Sequence, residues 1–197
     1  MNVLGKMMVA GSGEAGSSQR DLFDARVRAI VRYADPAAWT TASAVMSALA
    51  GAEELLAQWR HEIGMIAISD QGPGETMAQV LAEGARGFSL PMHYAAASPG
   101  TLVGVSCIAF GLRGPTMNLT MTPQDGIPVA LTLCARWLER KTAKFIVLAA
   151  CGAGTSGTMR SRALLLAPPG FSGPVTPLTE EMITWLADIN PASGGNA

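Results

Sequence analysis

The sequence predicts a single α/β core, a mostly parallel sheet covered by helices on both faces, and three observations carry that prediction. The stretches EIGMIAIS (62–69), AKFIVLAA (143–150) and RALLLA (162–167) are apolar without alternation, as expected of strands buried on both faces. Helical patterns separate most of the apolar runs, which favours strands joined by crossovers. At 197 residues there is material for one ordinary core, so a second would have to be argued for.

Taken in order, VLGKMMVA (3–10) reads as a first strand and GSGEAGSS as a Gly/Ser loop after it. RDLFDARVRAIVRYA (20–34) follows a helical pattern with Leu22, Phe23, Val27, Ile30 and Val31 on one face. Asp35-Pro36 ends that helix and starts another, because proline fits a first turn and not a helix interior. The second helix, alanine-rich over 36–59, has a break at Gly51. After the strand at 62–69 come the turn cluster DQGPGE, a helix over 75–87, the Pro-bounded segment FSLPMHYAAASPG (88–100) and an apolar helix, TLVGVSCIAFGLRGP (101–115). MNLTMT (117–122) is a strand, PQDG (123–126) a turn, and IPVALTLCARWL (127–138) a helix with almost no polar face. Such a helix has to be covered on all sides, by this chain or by a partner.

Two divisions are expected: residues 1–167 as the domain, and 168–197 as a Pro-rich linker with a docking helix. The linker opens with four prolines in ten residues. The helix is marked by Thr179 as N-cap, glutamates in the first turn and the stripe Met182, Ile183, Trp185, Leu186 and Ile189, before a small polar end.

Composition excludes several functions. Apolar residues make up 49% and charged ones 15%, against roughly 25% charged in typical soluble domains. An apolar partner surface is therefore expected. A net charge of −1 with no Lys/Arg run leaves no footprint for nucleic acid. No uninterrupted run of about 18 apolar residues exists and the N-terminus lacks the order of a signal peptide, so a cytoplasmic protein without membrane contact is expected. Cys107, Cys134 and Cys151 are odd in number and widely spaced, indicating neither disulfides nor a metal site.

GSGEAG (11–16) has the GxGxxG spacing, yet no second strand with a ribose-binding acid arrives within the expected 30 or so residues, so it reads as a Gly-rich connection. No cofactor is expected. His93 is a candidate base or substrate contact, although a packed loop histidine is the simpler reading. Cys151 ends a strand ahead of glycines whose amides could form an anion nest, with a buried apolar role as the alternative. Cys107 and Cys134 read as core. Thr122, Pro123, Gln124 and Asp125 form a strand-to-helix turn of the kind on which α/β enzymes mount a nucleophile.

The run from PMHYAAASPG through GLRGPTMNLTMTPQDGIPVALTLCARWLERKTAKFIVLAACG resembles the N-terminal half of β-ketoacyl synthases, the thiolase-fold condensing enzymes. RHEIGMIAISDQGPGETM is similar to their preceding strand and loop, and MMVAGSGEAG to their first strand, so the likeness covers about residues 7 to 167. It implies a single half of a thiolase-like fold. In active synthases the nucleophilic cysteine lies eight residues beyond the proline of the GP pair, and from Pro115 that count lands on Pro123. Chain-length factors and decarboxylating loading synthases carry glutamine at the nucleophile, and Gln124 stands one residue late. The family's two histidines belong to a C-terminal half with no counterpart in these residues.

The resemblance thus implies a protein that is not an enzyme by itself: a silent ketosynthase-like accessory subunit of polyketide or fatty-acyl biosynthesis. It would form a homodimer or a heterodimer with a ketosynthase, with acyl-carrier protein as a further partner. Two alternatives remain open: residual decarboxylation of a malonyl thioester, with Gln124 and nearby amides as donors, and a self-pairing structural scaffold.

Overall fold

A computed structural model describes residues 4–88, 90–154 and 158–189. Its elements run β1 (Met8–Ala15), α1 (Ala25–Ile30), α2 (Pro36–Ala48), α3 (Glu53–Trp59), β2 (Ile63–Ile68), α4 (Gly74–Ala85), α5 (Pro91–Ala96), α6 (Thr101–Phe110), β3 (Thr116–Leu119), α7 (Pro123–Glu139), β4 (Phe145–Ala153), β5 (Met159–Ala167), β6 (Thr176–Pro177) and α8 (Glu180–Ala187). The polar end of the tail, beyond Ile189, lies outside the described residues.

The strands form one mixed sheet in the order β3-β2-β4-β5-β1-β6. β3, β2 and β4 are parallel, joined by helical crossovers, whereas β5, β1 and β6 are antiparallel additions. Only residues 154–158 separate β4 from β5, too few for the crossover that a parallel neighbour needs.

Alternation along the strands divides the core in two. Ile66, Ile68, Ile146, Leu148, Leu164 and Leu166 face α7 and α8. Met65, Ala67, Val147, Ala149, Cys151 and Leu165 face the other way, toward α2 and α6. A smaller cluster beyond α2 is built on Trp39, 2% exposed, with Phe23 edge-on at 5.3 Å and Val105 beside them.

Several expectations are corrected. GSGEAG is not a loop, since β1 runs through Ala15. A register shift between Val9 and Gly11 inserts Ala10 as a bulge, so Met7 and Val9 face α7 while Gly11, Gly13 and Ala15 turn toward α2. A Cβ on Gly11 would stand 2.1 Å from Ala48 O, and one on Gly13 2.3 Å from Ala44 O. These glycines are therefore seats for the α2 backbone, not phosphate-binding or loop glycines. The helix expected over 20–34 shrinks to α1, capped by Asp24, and leaves Leu22 and Ile30 exposed.

PMHYAAA, expected as loop, starts the short helix α5 with Pro91 in its first turn. Cys107 is half-buried, while Cys134 is core. PQDG is not a turn ahead of a helix but the first turn of α7, and Pro128 lies inside that helix, where it removes one i to i−4 bond. Nor is α7 apolar all round. Its buried stripe is Ile127, Ala130, Leu131, Cys134, Ala135 and Leu138, and Leu133 and Trp137 lean onto the same core. Only Val129 among its large apolar side chains is exposed, because the sheet and α8 cover the rest.

Asp35, Pro36 and Gly51 act as expected. Asp35 is the N-cap of α2, and its Oδ1 accepts from the Ala37 amide at 2.8 Å. Gly51, at φ +81°, breaks the chain between α2 and α3. Thr179 caps α8, accepting from Met182 N at 3.3 Å.

Candidate functional site

The turn at 120–126 is held at the end of β3 by its neighbours on both sides. Upstream, Gly111 ends α6 at φ +68°, a backbone region that glycine occupies without strain, and its amide bonds to Cys107 O. Gly114 packs so closely on β2 that a Cβ would lie 2.5 Å from Ile63 O. The GLRGP motif thereby sets where β3 starts alongside β2. Downstream, a Cβ on Gly126 would fall 2.4 Å from Ile68 Cγ2, so glycine is what lets the first turn of α7 sit against β2.

At the turn, Thr122 is the N-cap of α7. Its Oγ1 accepts from Asp125 N at 3.3 Å and donates to Asp125 Oδ2 at 2.7 Å. Gly126 N donates to Thr122 O at 2.8 Å. Pro123, at the first helical position, is buried and has no N–H. Pro123 therefore brings no donor to this helix start, and the Asp125 and Gly126 amides are both taken by Thr122. The Gln124 side chain is engaged elsewhere: its Nε2 donates to Ala187 O of α8 at 3.1 Å.

The last turn of α8 is secured beside it by Arg162 of β5, which donates through Nη1 to Trp185 O and, at 2.7 Å, to Asp188 O. Arg162 also stacks over the Trp185 ring at 5.1 Å and pairs with Glu14. A cation that hydrogen-bonds the final carbonyls complements the negative end of a helix.

The other candidate residues lie elsewhere. Cys151 is 1% exposed and projects into the α2 side of the sheet, with its Sγ 3.9 Å from Ala37 O. Burial pushes its thiol up to about 12, the charges of Asp35 and Asp70 push the same way, and a Thr41 hydrogen bond only partly opposes them. Such a thiol is inert. The anion nest after it is not formed at 152–154, because Gly152 and Ala153 pair with β5 and Gly154 N donates to Thr158 O. Its last glycine, Gly157, lies outside the described residues. Burial likewise raises Cys107 to about 11 and carries Cys134 above the ordinary thiol range.

His93 sits on α5, not in a loop. Its Nδ1 is 2.7 Å from Glu83 Oε1 and 3.2 Å from Gln79 Nε2, both on α4, and its ring stands edge-on to Tyr33. Burial works to raise the Glu83 carboxyl, but hydrogen bonds from His93, the Leu90 amide and Gln79 outweigh it and hold the group below its usual range. This pair staples α4 to α5.

Sequence reasoning missed the second bond of Asp35, whose Oδ2 accepts from Thr76 N at 2.8 Å and so caps α4 as well as α2. Nothing in the sequence links positions 41 residues apart. It also missed Arg162, whose role depends on where α8 docks. Among the described residues no group of three or more His, Cys, Asp or Glu could hold a metal ion, and no helix is long and apolar enough to cross a membrane.

No protein-family model matches the sequence, and no curated protein matches it. Solved structures do. The ishigamide ketosynthase/chain length factor aligns with TM-score 0.66 at 14% identity, over 88% of this chain and 64% of that one. A ketosynthase in complex with its chain length factor from Xenorhabdus doucetiae aligns with TM-score 0.52 at 18% identity, over 71% and 60%. A type II polyketide synthase acyl-carrier protein in complex with its ketosynthase bound to the hexaketide gives 0.61 at 14% identity, over 83% and 63%. The fold is therefore the thiolase-type, ketosynthase-like one, and this chain spans about three-fifths of the length of those it aligns with.

Proposed function

We propose that this chain is a ketosynthase-like subunit that carries no acyl group itself and acts by pairing with a ketosynthase in polyketide or fatty-acyl assembly. The observation that carries the reading is the turn. It lies between β3 and the start of α7, with Gly126 seated against Ile68, and a buried proline fills the first helical position. Thr122 and Asp125 are closed on each other, and His93 is engaged by Glu83 of α4.

Pairing is supported by the ketosynthase complexes among the structures of the same fold and by exposed apolar side chains concentrated on 77–94. These are Met77, Leu81, Phe88, Leu90, Met92 and Tyr94. Acyl-carrier protein is proposed as a further partner on the likeness to the carrier-protein complex. Decarboxylation is the weaker reading, since it needs oxyanion donors, whereas Pro123 has no N–H and the Asp125 and Gly126 amides are taken by Thr122.

Two measurements test the proposal. Incubation with malonyl-loaded carrier protein, followed by intact mass spectrometry and product analysis, is expected to give no adduct and no acetyl product. An adduct at residues 122–125 refutes acyl silence, and acetyl product supports the decarboxylase. Co-expression with a type II ketosynthase is expected to give a stable complex. A homodimer indifferent to the synthase favours a scaffold.

A further inference from the structure

On the face of the sheet opposite α7, the end of α1, the short helix α5 and the outer side of α6 border an open hollow of about 300 Å3. It shares no residue with the turn at 120–126. Along α6 it is lined by Thr101, Gly104, Val105 and Ile108, which fall on one face at helical spacing. An apolar helix face is ordinarily covered, yet here Ile30, Met92 and Ile108 remain 55%, 52% and 44% exposed around the opening.

Gly104 makes the hollow. It occupies a helix interior, where glycine is disfavoured, and a Cβ there would meet nothing within 4 Å. Packing within the chain therefore does not require glycine at this position, and any larger side chain would project into the space.

The chemistry of the lining defines the ligand. No charged side chain is among the lining residues. The Thr101 hydroxyl donates to Ser98 O at 2.8 Å, with Ala96 O at 3.3 Å as a second acceptor, and Ser98 Oγ accepts from Gly100 N at 3.3 Å, so the Thr101 hydroxyl is engaged within the wall. A charged group entering would lose water without finding a charged partner. At roughly 30 Å3 per water in the liquid, the volume suits about ten non-hydrogen atoms, at the lower end of the range for ligand pockets.

We propose that this hollow is a binding site for a small, neutral, apolar molecule, aliphatic or flat aromatic, with at most one hydroxyl left at the mouth. The hollow shares Met92 with the surface offered above for pairing, but its test involves neither a synthase nor a thioester, so the two proposals can fail separately.

The test is a titration of the 13C-methyl-labelled protein with 1-octanol, followed by NMR. Saturable shifts are expected at the methyl groups of Ile30, Met92 and Ile108, with none at the equally exposed Met77 and Val129. Gly104→Leu is expected to weaken binding at least tenfold while Gly104→Ala retains most of it. If Gly104→Leu fails to fold, Ile108→Trp closes the hollow from its rim and is expected to have the same effect. Shifts that do not saturate, that are equal at Met77, or that survive Gly104→Leu overturn the proposal. So does a dilution series in which the same methyl groups respond to protein concentration, because the occupant is then a second copy.

Discussion

Replacing Asp35 with alanine removes one buried carboxylate that starts two helices. Asp35 is 2% exposed, its Oδ1 takes the Ala37 amide of α2 and its Oδ2 the Thr76 amide of α4, each at 2.8 Å. Loss of an N-cap costs about 0.5–2 kcal/mol. Loss of a hydrogen bond to a charged acceptor costs about 1.5–3 kcal/mol, with the buried amide left unsatisfied. Asp35→Ala is therefore expected to destabilise the protein by about 2–5 kcal/mol. At about 2–4 °C per kcal/mol for a chain of this size, the melting temperature should fall by roughly 4–20 °C. Asp35→Asn retains one acceptor oxygen but turns an NH2 toward the second amide, so it should cost less than alanine and more than nothing. Urea denaturation of the three proteins measures both differences. A loss below about 1 kcal/mol for alanine, or an asparagine variant as unstable as alanine, would refute the double-cap argument.

Gly126→Ala places a Cβ 2.4 Å from Ile68 Cγ2 and 3.1 Å from Met121 Cγ, and overpacking of that kind is expected to cost about 1–3 kcal/mol by denaturant titration. The thiols of Cys107 and Cys151, raised to about 11 and about 12 by burial, should resist iodoacetamide at neutral pH. Mass spectrometry should find all three cysteines labelled only after unfolding, and rapid labelling of the native protein would contradict the placement of Cys151. The depressed Glu83 carboxyl contributes stability that is fully present above the unfolded-state value of 4.5 and is lost as the pH falls through the lower folded value. Glu83→Gln should therefore flatten the decline of stability in acid, and an unchanged acid limb would argue against the α4–α5 staple.

The parts of this fold readable in advance are those in which a local pattern and its tertiary role coincide. Continuous apolar runs gave β2, β4 and β5, Asp35-Pro36 gave the start of α2, and Thr179 with its two following glutamates gave α8. Failures came where a distant neighbour decides. Gly11 and Gly13 look like loop residues until α2 is laid on them. The Ala10 bulge inverts which face odd-numbered residues occupy, so no period-2 pattern survives along β1. In the turn at 120–126, PQDG has the composition of a turn and put the expected helix start at Ile127, whereas Thr122 caps a helix that already begins at Pro123. His93 and Cys151 could be named as reactive types, yet their partners, Glu83 and the α2 backbone, are set by packing and not by spacing.

The position of β1 bears on how the chain must fold. Its partners are β5, paired from Met8↔Ala167 to Ala15↔Ser161, and β6 at residues 176–177. Every ladder bond of the first strand thus waits for the last quarter of the chain, whereas β2, β3 and β4 find one another across much shorter separations. Closing so long a loop is slow relative to local pairing. During synthesis from the N-terminus, residues 8–15 are therefore a lone strand and the α2 face that will receive them stays bare, until the ribosome has released the segment that clasps them from both sides.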